Sequence, residues 1–170
     1  MQPKSYIIFK WTVYALATCL LLGLQSLILD HVRVMGLTPF LYPLLPAIVS
    51  IYEGSRRGPV FSLVLGAVCD LMLSGPFHGF FALAFTLTAL AASRIAESLL
   101  TPGFFCGLLV SALALLLTGG LRILVQVLSG GGYLELMTRI ALGEALITFP
   151  AVLIVFPLYR AVHRRCAIEY

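Results

Sequence analysis

Apolar residues along this chain gather into runs longer than a water-soluble core needs, separated by short clusters of glycine, proline and charge. The first run covers about residues 6–29, with Lys10 near its start as its one charge. A helix needs about 20 apolar residues to cross a bilayer, whereas the apolar part of a signal peptide has only about 7–15. The run is therefore expected to remain as a first crossing. Residues 59–93 form an apolar stretch of 35 residues, about 52 Å as one continuous helix and too long for a single crossing. Ser74-Gly75-Pro76-Phe77-His78-Gly79 interrupts it with a Gly-Pro turn signal, which predicts crossings at about 59–73 and 78–93. Thr101-Pro102-Gly103 opens another, with proline in the first turn where its missing N–H costs nothing. This crossing runs over about 103–128. Ser129-Gly130-Gly131-Gly132 reads as a flexible loop before a last crossing at about 139–159.

Segment 38–52 is harder to place, because it is short and contains Pro39, Pro43 and Pro46. The positive charges decide. If it crosses, Lys4, Lys10, Arg56, Arg57, Arg94, Arg160, Arg164 and Arg165 lie on one side, Arg33 and Arg139 on the other, and Arg122 within a crossing. If it does not, every later loop changes side and the separation degrades. Lysine and arginine accumulate on the cytoplasmic side, so the segment is expected to cross. The reading is an all-α integral membrane protein, a single bundle of six transmembrane helices with both termini in the cytoplasm.

Composition agrees. The 170 residues are 61% apolar and 11% charged, against about 45–50% and about 25% in soluble domains, and mean hydropathy is +1.05. So few charges cannot cover a water-soluble globule, and a chain this apolar is not a disordered one. The net charge of +4 follows from the arginines assigned to the cytoplasmic side. It points to contact with anionic membrane lipids and away from nucleic acid.

Small residues recur every four positions in three rows: Gly58, Ser62, Gly66 and Asp70; Gly103, Gly107 and Ser111; Ala15, Cys19 and Gly23. In lipid, helices associate by close backbone approach at such residues, so the rows serve either a self-packed bundle or a partner's transmembrane helix. Asp70, Arg122 and Glu144 are ionisable residues inside crossings, where a charge costs about 2.5–3.5 kcal/mol on insertion scales. Each lies within roughly 10 Å of the outer end of its helix. Arg122 shares a face with Ser111, Thr118 and Gln126 and is expected to pair with Glu144, Asp70 or both. That pairing would serve either as a buried lock on helix register or as a polar pocket for a ligand or partner. Cys19, Cys69, Cys106 and Cys166 have no metal-ligand or disulfide-framework spacing, and phosphate-loop and nucleophile-elbow motifs are missing. An intramembrane aspartyl peptidase needs two adjacent carboxylates, but the only aspartates are Asp30 and Asp70. No cofactor, metal or catalytic residue is expected.

Gly58-Pro59-Val60-Phe61-Ser62-Leu63-Val64-Leu65-Gly66-Ala67-Val68-Cys69-Asp70-Leu71, continued by Ser74-Gly75-Pro76-Phe77-His78-Gly79, resembles the MreD family of bacterial rod-shape-determining membrane proteins. Their hallmark is a glycine-spaced helix ending in Gly-x-x-x-Asp-Leu, a short turn, and a glycine opening the next helix; Gly66, Asp70 and Gly79 match it. Chain length, the proline-containing second segment and the basic tail from Arg160 to Arg165 are similar too. The resemblance covers about 26 residues, and Arg122 and Glu144 lie outside it. It implies a fold similar to the substrate-binding subunits of energy-coupling-factor vitamin transporters. The implied role is a non-enzymatic inner-membrane subunit of the cell-elongation machinery. Such a subunit binds MreC, a single-span protein, and so joins MreB filaments to the RodA glycosyltransferase and its penicillin-binding partner. The same bundle with a polar outer pocket would also suit a substrate-binding subunit of a vitamin or small-molecule transporter, although its outer loops are short.

Overall fold

The computed structural model describes residues 4–31, 36–98, 103–130 and 134–167. Arg33, Thr101-Pro102 and Gly131-Gly132 lie outside the described residues, as do the side chains of Arg165 and Cys166. The described chain is all-helical: α1 (Lys4–Leu27), α2 (Leu44–Met72), α3 (Phe80–Ser98), α4 (Phe104–Leu128), α5 (Leu134–Thr148) and α6 (Val152–Ala167). Short 3-10 turns lie at Leu29–His31 and Phe149–Ala151. Four stretches are long and apolar enough to cross a membrane: Ile8–His31, Phe80–Glu97, Phe104–Leu128 and Leu134–Arg164. The last includes both α5 and α6, so the final predicted segment begins before Arg139 and ends beyond Tyr159.

Large apolar side chains face outward as well as inward, unlike the pattern of a water-soluble protein. Leu71, Phe105 and Leu128 are 89%, 79% and 78% exposed, whereas Ser50, Ser62, Thr88, Ser93 and Ser111 are fully buried. An exposed leucine costs nothing in hydrocarbon, while a polar group there needs an internal partner. The protein is membrane-embedded.

The second and third predicted segments form one element, α2, interrupted at Gly54. Its φ of 71° and ψ of −175° belong to a region that is essentially glycine-only. The chain doubles back there. A Cβ on Gly58 would lie 2.8 Å from the Cα of Ser50, whereas eight residues of continuous helix span about 12 Å. The first arm (residues 44–53) is the centre of the fold, and every residue from 41 to 51 is buried. Apolar except for Ser50 and Glu53, it is surrounded by the other helices. It includes Leu44, Leu45, Ile48 and Val49, which pack with Tyr14, Phe85, Val155 and Tyr159. The second arm (residues 55–72) starts before Pro59 and packs chiefly on α3.

The expected helix at 38–52 begins only at Leu44. Pro39 and Pro43 remove two N–H donors, and each pushes the residue before it toward extended backbone. Buried non-helical backbone needs hydrogen-bond partners, and here two side chains supply them. The Gln25 amide nitrogen donates to the Pro39 carbonyl at 2.7 Å and to the Asp30 carboxylate at 2.8 Å. The Gln25 amide oxygen accepts from the Leu41 N–H at 3.1 Å, and the Thr148 hydroxyl accepts from the Phe40 N–H at 2.8 Å. Gln25 and Thr148 are almost fully buried. Replacing Gln25 by leucine leaves the Leu41 N–H and the Pro39 carbonyl unpaired. This is expected to destabilise the protein by about 2–5 kcal/mol, read as a lower unfolding midpoint in detergent micelles; an unchanged midpoint would mean that water reaches this stretch.

Candidate functional site

Gly66, Asp70 and Gly79 meet at the start of α3. A helix begins with four N–H groups that have no intrahelical partner, and in α3, whose first i→i−4 bond runs from the Leu83 N–H to the Gly79 carbonyl at 3.0 Å, those of Phe80, Phe81 and Ala82 are satisfied from outside. The Phe80 N–H donates to the Phe77 carbonyl at 3.2 Å. The Phe81 and Ala82 N–H groups donate to the two carboxylate oxygens of Asp70, at 2.9 and 3.0 Å. A carboxylate is well placed there, because the first turn carries the positive end of the helix dipole and charge-assisted hydrogen bonds are the stronger kind. Gly66, one turn before Asp70, lets the two backbones touch: any Cβ on it would clash with the backbone of Ala82 and lie 2.7 Å from the Phe81 carbonyl oxygen. Gly79 turns the chain into α3 with a φ of 89°, a conformation that favours glycine. The far end of the same helix pair has a matching contact, since Glu97 of α3 accepts from the Ser55 N–H at the start of the second arm of α2 (2.9 Å).

Of the other residues in that row, Gly58 allows the first arm of α2 to approach at Ser50. Ser62 is fully buried and donates to the Gly58 carbonyl at 2.8 Å. The row on α4 is also filled from within, because a Cβ on Gly107 would strike the Phe156 ring of α6. The row on α1 stays open. Ala15 and Cys19 are exposed, and nothing lies within 4 Å of a Cβ placed on Gly23.

Arg122 and Glu144 form an ion pair between α4 and α5, 3.5 Å from guanidinium to carboxylate. Asp70 takes no part in it, because its two oxygens are bound to the start of α3. The pair lines a cavity of about 240 Å³ together with Thr118, Gln126, Met137 and Phe40. The cavity lies close to the Asp70 junction: Phe40 packs against Phe81, ring centroids 6.2 Å apart, and the Phe81 N–H is the one Asp70 holds. The hydroxyls of Ser111 and Thr118, on the same face of α4 as Arg122, are buried without a hydrogen-bond partner. The cavity thus offers one cation, one anion, a hydroxyl and an amide, a set suited to polar recognition. Among the described residues, no group of three or more His, Cys, Asp or Glu side chains comes together to hold a metal.

A third polar cluster joins α1, α2 and α6, and the sequence reading missed it. Lys10 Nζ lies 2.6 Å from Glu53 Oε1, and the Glu53 side chain is only 2% exposed. His163 Nδ1 is 3.9 Å from the same oxygen and 3.3 Å from the Tyr14 hydroxyl, and its ring stacks on Tyr52. Below it, Thr18 and Tyr159 share a hydrogen bond of 2.8 Å. Lys10, the one charge in the first apolar run, was the signal for it, since a charge there needs an acid to pair with; Glu53, just past the segment at 38–52, drew no attention.

Compared with known proteins, the chain matches no family model, no curated protein and no solved structure.

The junction sets an order of damage. Asp70→Ala loses both charge-assisted hydrogen bonds and is expected to cost about 3 kcal/mol. Asp70→Asn, which keeps one acceptor, should cost less. Gly66→Leu should cost more than either, because backbone rather than side chain must move. Denaturant unfolding of the three variants in detergent checks the order; an Asp70→Ala protein as stable as the parent would contradict it.

Proposed function

We propose that this chain is a non-enzymatic scaffold of the bacterial cell-elongation machinery, of the MreD kind. In this reading it sits in the inner membrane, holds an MreC-like single-span protein, and helps couple MreB filaments to the RodA and penicillin-binding-protein assembly that makes peptidoglycan. The observation that carries the reading is the junction at α3. Gly66, Asp70 and Gly79, on which the resemblance rests, act together in one contact, so the motif reads as a single structural device rather than a coincidence of common residues.

The topology that goes with this reading has six crossings and cytoplasmic termini. The arms of α2 supply the second and third. The second arm, residues 55–72, is about 27 Å long as a helix, close to the roughly 30 Å of a bilayer core. The first arm is shorter and reaches depth with the help of the non-helical stretch before it. The partner's transmembrane helix is assigned to α1, since two small-residue rows are filled within the chain and the row of Ala15, Cys19 and Gly23 is open.

The alternative, a substrate-binding subunit of a vitamin or small-molecule transporter, needs a site for the solute. Pockets for such ligands run to about 300–1,000 Å³. The cavity beside Arg122 and Glu144 is about 240 Å³, and its two charges are already paired. Those features count against this cavity as the seat of a vitamin-sized solute.

Purification in mild detergent with a candidate MreC-like partner tests the assignment. The parent protein should co-purify with it. Cys19→Leu and Gly23→Leu should weaken the complex at least tenfold while leaving the unfolding midpoint unchanged, since Cys19 is exposed and a Cβ on Gly23 would meet nothing within 4 Å. A protein that elutes alone with a tightly held small molecule would instead support the transporter, and full binding by both variants would remove the α1 face from the account.

A further inference from the structure

A groove of about 470 Å³ runs between α1 and the second arm of α2, lined by Trp11, Ala15, Arg56, Arg57, Val60, Phe61 and Val64. It is apolar along its length and basic at the end nearest Gly54. Arg56 and Arg57 are both exposed, and no ion pair among the described residues neutralises either. The nearby acids are engaged elsewhere: Glu53 is buried against Lys10, and Glu97 accepts the Ser55 N–H. Two unpaired guanidiniums thus stand at the turn between two helix arms, where a membrane surface would lie. Trp11 occupies the same level on α1, its ring 5.9 Å from that of Phe61, and tryptophan is enriched at membrane interfaces. Val60 and Val64 continue away from the arginines and are 64% and 56% exposed. Basic pockets between transmembrane helices bind anionic lipid headgroups, and here the charge opens directly onto an apolar trough.

We propose that this groove is a binding site for one anionic phospholipid, its phosphate held by Arg56 and Arg57 and one acyl chain laid along Trp11, Val60 and Val64. The site depends on membrane embedding alone and is independent of the scaffold reading. Arginine suits the role, because its planar fork of donors matches phosphate oxygens. A zwitterionic phosphatidylcholine would bring its own cation to the same place and bind less well.

Trp11 is the chain's single tryptophan and lies in the groove, so it reports occupancy directly. The protein is reconstituted in phosphatidylcholine vesicles containing a minor fraction of either acyl-brominated phosphatidylglycerol or acyl-brominated phosphatidylcholine, and quenching of Trp11 is compared. One arginine near the surface gives about a fivefold preference for an anionic lipid, and the pair about 30-fold. Excess quenching by the phosphatidylglycerol is expected at that scale. It should fall about fivefold in Arg56→Gln and in Arg57→Gln and vanish in the double variant. Arg160→Gln, an exposed arginine outside the groove, should leave it unchanged. Equal quenching by the two lipids would overturn the site and leave the groove to bulk lipid or a partner's helix. Excess quenching that survives in the double variant, or that is lost equally in Arg160→Gln, would also overturn it by assigning the preference to the general charge of this face.

Discussion

The first N–H groups of a helix need acceptors from outside the helix, and the contact between Asp70 and the start of α3 supplies them. The carboxylate holds the Phe81 and Ala82 N–H groups, and the Phe77 carbonyl holds that of Phe80. It does so only because Gly66 lets the α2 and α3 backbones touch. The contact fixes the register of α2 against α3, and Glu97 makes the corresponding contact at the opposite end of the pair. The first arm of α2, the most deeply buried part of the chain, is held in turn by this pair, since Gly58 in the same row seats Ser50.

Around this frame the polar side chains form separate clusters, each meeting a local need. Gln25 and Thr148 satisfy backbone that prolines keep from being helical. Lys10, Glu53 and His163 tie α1, α2 and α6 together beside the Gly54 reversal. Arg122 and Glu144 join α4 to α5 beside a small cavity. The outer surface is left to apolar side chains, with the open row on α1 and the arginine-ended groove next to it as its distinctive features.

Much of this was legible in the amino-acid sequence, for physical reasons. Long apolar runs can only be membrane helices, and the Gly-Pro turn at 75–76 had to divide the longest of them. The charge balance pointed to 38–52 as a crossing; the structure gives residues 44–53 as the first arm of α2 after a non-helical stretch, and α2 is not among the four described stretches long and apolar enough to cross a membrane. Gly66, Asp70 and Gly79 were visible as a motif. The partner of Asp70 was not visible: position along a helix gives a residue's depth but not which neighbour it faces. Sequence reasoning therefore grouped Asp70 with Arg122, a cation at a similar level, whereas its acceptors are used by backbone N–H groups that no residue type announces. Gln25 was hidden for a similar reason, as a neutral side chain in an apolar run. The prolines at 39 and 43 were its signal, since backbone that cannot form a helix has to be satisfied from another element.

Hydrogen exchange at the amides of Phe81 and Ala82 tests the central contact most directly. In the parent protein both amides should exchange as slowly as the middle of α3, and in the Asp70→Ala protein both should become fast while the rest of the helix stays protected. Rapid exchange of these two amides in the parent would show that the carboxylate does not hold the start of α3, and would contradict the account at its base.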